Sequence, residues 1–66
     1  MEKDVLQRLE EELKELIVKM NKLTKFQQTK EHWSLSDANR YLINKQVEAM
    51  YNYEGILKAR IELNKQ

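Results

Sequence analysis

The 66-residue chain carries 12 Lys and Arg against 11 Asp and Glu, a net charge of +1, with one Gly and neither Pro nor Cys. That balance gives no general attraction to DNA, RNA or a membrane surface. No disulfide framework exists, and His32 as the only histidine leaves no ligand set for zinc. A domain this small buries only roughly 60% of the surface its unfolded chain exposes. Without a disulfide or a metal, partner copies are the remaining source of stability.

Met1-Glu2-Lys3-Asp4 leads straight into an amphipathic pattern rather than a signal peptide. No apolar run approaches the roughly 18 residues of a membrane span. A cytosolic protein is expected. Leu6, Leu9, Leu13, Leu16, Met20 and Leu23 then alternate spacings of three and four. This predicts a heptad seam on a first helix over about residues 3–28, widened by Ile17 and Phe26. Acids crowd its start (Glu2, Asp4, Glu10, Glu11, Glu12, Glu15) and bases its end (Lys19, Lys22, Lys25, Lys30). The order suits the helix dipole, which by itself explains the lysines.

The pattern breaks over residues 29–34, predicting a loop. Ser34-Leu35-Ser36-Asp37 signals a helix start, with Ser34 as N-cap and Ser36 as the competing cap. The second helix is expected over about residues 35–63. A loop this short forces the two helices antiparallel, so the expected fold is all-α, a two-helix hairpin assembling into a helical homo-oligomer. The second helix is apolar over a wide arc. One stripe is Leu35, Ala38, Leu42, Ala49, Ile56 and Leu63; the other is Ile43, Met50 and Leu57 with Val47 and Ile61. A single neighbouring helix covers one stripe. The other should meet a second chain, which would place Met50 and Leu57 at a subunit interface. The small residues Ala49, Gly55 and Ala59 would permit close helix approach.

No catalytic signature is present: no Cys nucleophile, no GxSxG, no Gly-rich phosphate loop and no HExxH. His32 lacks an evident orienting partner and fits a solvated or capping role. An enzyme is not expected, and no cofactor or metal is implied. Two other features carry chemistry. Gln46, Tyr53 and Arg60, spaced by sevens, share one line between the apolar stripes of helix two. Polar groups inside an apolar arc need partners. They could be register-fixing interchain hydrogen bonds, or a subunit-interface pocket with Tyr53 as stacking face and Arg60 as phosphate fork. The second feature is the loop end, where Lys22, Lys25, Lys30, His32, Trp33, Arg40 and Tyr41 gather against Glu31 and Asp37. Bases mixed with aromatics suit a ligand bearing both phosphates and nucleobases. Composition alone favours the plainer reading, in which Trp33 and Tyr41 plug the hairpin end while the lysines are solvated.

Gln46-x-x-Ala49-Met50-x-x-Tyr53-x-x-Ile56-Leu57-x-x-Arg60-Ile61 resembles the second helix of small phage hairpin proteins. These are the anti-CBASS type 2 cyclic-nucleotide sponges, whose hairpin is shared with anti-Thoeris sponges. The upstream order is similar too: an acidic helix, Leu23-x-x-Phe26, a short loop and a Leu-rich second helix. The resemblance spans most of the chain, and Tyr53 and Arg60 match the shared motif. It implies a phage protein that counters bacterial defence inside the host cell. Cyclic di- or trinucleotide signals would be held uncleaved in pockets between subunits of an assembly from a dimer up to a hexamer. Two other functions stay open: a protein-binding inhibitor such as an anti-CRISPR, and a structural coiled coil with no ligand.

Overall fold

The computed structural model describes residues 2–66, with side chains from Asp4 onward. Helix α1 spans Glu2–Phe26, a single-turn helix α2 spans Lys30–Trp33, and α3 spans Asp37–Lys65. The two long helices lie side by side in a rod of 47 × 15 × 13 Å. Among the described residues no helix is long and apolar enough to cross a membrane.

The connection holds more structure than the expected loop. Thr29 ends α1 and starts α2 with one side chain. Its hydroxyl donates to the Phe26 carbonyl at 2.6 Å and accepts from the His32 N–H at 3.2 Å. Ser34, expected as the N-cap of the second long helix, instead closes α2 by donating to the Glu31 carbonyl at 2.8 Å. Ser36 is the cap of α3, accepting from the Asn39 N–H at 3.2 Å. The reason is local: Ser34 keeps helical backbone angles (φ -82°, ψ -9°) as the C-cap of α2, whereas Ser36 is extended (φ -63°, ψ 158°), the conformation an N-cap requires. His32 is not solvated either. It is 4% exposed, edge-on to the Phe26 ring at 5.7 Å and to the Trp33 ring at 5.4 Å. Its Nδ1 has no hydrogen-bond partner among the described residues. The histidine, not Trp33 or Tyr41, fills the hairpin end; both of those aromatics stand exposed.

Leu9, Leu16 and Met20 of α1 meet Leu57 and Ile61 of α3 in the core, flanked by Leu6, Leu13 and Met50. The second stripe of α3 therefore packs within the chain. Leu57, expected against another subunit, is 0% exposed in a single copy. The first stripe is the one left open, with Leu42, Ile56 and Leu63 all exposed. Both stripes carry large apolar residues at seven-residue steps, broken in the first by Ala49, but only the second packs on the α1 seam. Gly55 lies away from the helix contact: a Cβ there would meet nothing within 4 Å.

Candidate functional site

The loop-end residues form a brace. Arg40, in the first turn of α3, donates from Nη1 to the Trp33 carbonyl at 2.8 Å and to the Leu35 carbonyl at 3.2 Å. Its Nη2 pairs with Asp37. The guanidinium also lies 5.5 Å from the Trp33 ring centroid. With two carbonyls, a carboxylate and a ring engaged, Arg40 holds α2 onto the start of α3 and has little capacity left for a ligand. Tyr41 faces the Lys45 ammonium at 5.5 Å, and Lys45 pairs in turn with Glu48 at 3.3 Å. Lys25 is exposed near the end of α1. The structure thus joins Arg40 to Trp33, but Tyr41 and Lys25 stand apart from that pair.

The line Gln46, Tyr53, Arg60 is on the surface of α3. Arg60, expected deep among apolar residues, is exposed, because the stripe beside it has no cover within the chain. At 1.5 Å rise per residue, successive members are about 10 Å apart. One small ligand cannot touch all three on one copy.

Gln46 does sit with other groups. A groove of ≈ 360 Å³ between α1 and α3 is lined by Lys19, Lys22, Leu23, Phe26, Gln46 and Met50. Lys19, Lys22 and Phe26 follow one another at three and four residues, so one edge of α1 presents two ammonium groups and a ring. Two cations, an aromatic face, an apolar floor and an amide fit a ligand with phosphates and a planar base. Lys19, Leu23, Phe26 and Met50 lie outside the loop-end and polar-line groupings, and Lys19 and Phe26 are the ones that add a charge and a ring. The signal was present in their shared edge with Lys22, and it was hidden because the helix dipole already explained the lysines. A second groove, ≈ 500 Å³, lies toward the chain termini and is lined by Glu10, Leu13, Lys14, Ile17, Lys58, Ile61, Glu62 and Lys65. Its three lysines are offset by two glutamates, which suits a polyanion poorly. Among the described residues no three His, Cys, Asp or Glu side chains converge as a metal site would require.

A family model described as Sequestin matches residues 3–63. No curated protein and no solved structure matches the chain.

Proposed function

The chain belongs to the Sequestin family, and on that premise we propose that it sequesters cyclic oligonucleotide second messengers. The family name is that of a sequestering protein; the groove's residues suit a ligand with phosphates and bases, and its cyclic form is what the resemblance of the second helix implies. The groove between α1 and α3 carries this reading: Lys19 and Lys22 for phosphate, Phe26 for a base and Gln46 for an edge hydrogen bond. Arg60 and Tyr53 join it where subunits meet. The ligand is held by non-covalent contacts and released uncleaved, so the protein acts by stoichiometry rather than turnover. In this account it is a phage anti-defence protein of the anti-CBASS type, working in the cytoplasm of the infected host as a homo-oligomer.

A thermal-shift screen against cyclic di- and trinucleotides tests the proposal, followed by recovery of the bound nucleotide after denaturation. Stabilisation with the nucleotide recovered unchanged supports sequestration; a linearised product refutes it. The exposed stripe Leu42, Ile56 and Leu63 favours a second reading, an inhibitor or assembly protein that docks on another protein. That reading predicts no nucleotide stabilisation.

A further inference from the structure

We propose that two copies of the chain pair α3 against α3, antiparallel, about a two-fold axis beside Tyr53. The first observation is exposure. Leu42, Ile56 and Leu63 are 62%, 56% and 68% exposed, while the core of one copy holds five buried apolar residues. The second is spacing. Leu42, Gln46, Ala49, Tyr53, Ile56, Arg60 and Leu63 alternate steps of four and three on one edge of α3. That is a heptad seam over three heptads, about 32 Å long.

The seam is self-complementary on reversal. Centred on Tyr53, it sets Leu42 against Leu63 of the second copy, small Ala49 against large Ile56, and Gln46 against Arg60. Tyr53 meets its own counterpart. Parallel pairing would place Arg60 on Arg60 and leave a void between two alanines at 49. Like charges in a shared layer select against that arrangement.

The reversed pairing also explains the polar line. Gln46 and Arg60 are about 21 Å apart on one helix, but across the two-fold they occupy one layer. Gln46 lines the groove that holds Lys19 and Lys22. The second copy's Arg60 therefore arrives beside that groove as a third cation, and each groove is complete only in the pair. The pairing itself needs no ligand, so its test uses none.

The chain has no Cys, so introduced thiols report the interface directly. Under mild oxidation, Tyr53→Cys should form a disulfide-linked dimer of twice the 8.0 kDa chain mass. A mixture of Gln46→Cys and Arg60→Cys should cross-link as the heterodimer, while either alone stays at monomer mass on a non-reducing gel. Should Tyr53→Cys lose its helical circular dichroism, the two exposed positions still decide. Efficient self-linking of Gln46→Cys would show parallel pairing and overturn the proposal. So would a wild-type chain that sediments at 8.0 kDa at high concentration.

Discussion

Replacing Leu57 with Ala is the sharpest perturbation of the hairpin. The side chain is fully buried between α1 and α3 with Leu9, Leu16, Met20 and Ile61 in the same cluster. Losing three carbons forfeits about 2.4 kcal/mol of transfer energy at roughly 0.8 kcal/mol per carbon. A residual cavity between two stiff helices adds about 1 kcal/mol, giving a total of about 3 kcal/mol, inside the usual range. A chain of this size has only about 3–10 kcal/mol to lose. At about 4–8 °C per kcal/mol, the melting temperature should fall by about 12–24 °C. Thermal melts followed by circular dichroism at one fixed protein concentration measure this. A loss under about 1 kcal/mol for Leu57→Ala would mean that α3 turns its other stripe toward α1.

Three further outcomes follow from particular side chains. Ser36→Ala should destabilise by about 1 kcal/mol through loss of the α3 cap, shown by a lower urea midpoint. Ser34→Ala should cost less, because its hydroxyl only closes the single turn of α2. Gly55→Ala should raise the melting temperature, adding about 0.5–1 kcal/mol, since the helix interior gains propensity and the new methyl meets no neighbour. If the protein binds cyclic nucleotides, Lys22→Ala and Arg60→Ala should each weaken titrated affinity roughly tenfold to hundredfold, the range of one charge-assisted contact. Both losses should shrink as salt rises, whereas Lys25→Ala should change affinity little.

Much of the hairpin was legible in the heptad leucines of α1 and the unbroken run from Ala38 to Leu63. The connection was legible only in part. Ser34 and Ser36 have the same capping chemistry, and the choice between them turns on whether Thr29 nucleates a turn before Ser34. The sequence Thr29-Lys30-Glu31-His32 held that signal, but one turn is too short for a periodicity to register. The apolar arc of α3 correctly implied more surface than one neighbour can cover. It could not say which stripe faces inward, because both carry large apolar residues at seven-residue steps. The depth assigned to Arg60 followed from that ambiguity: it is flanked by apolar residues in sequence, yet stands on the open side in space. Arg40 shows a different limit. Its charge and its neighbour Trp33 suggest a ligand site, and only the backbone carbonyls of Trp33 and Leu35, invisible to composition, show that the guanidinium is already occupied.

Calorimetric titration of the wild-type chain with a panel of cyclic di- and trinucleotides tests the central claim most directly. The account predicts saturable binding of at least one of them, with the nucleotide recovered chemically unchanged. Heat of binding from none of the panel, in a sample that melts cooperatively as a folded helical protein, would contradict it.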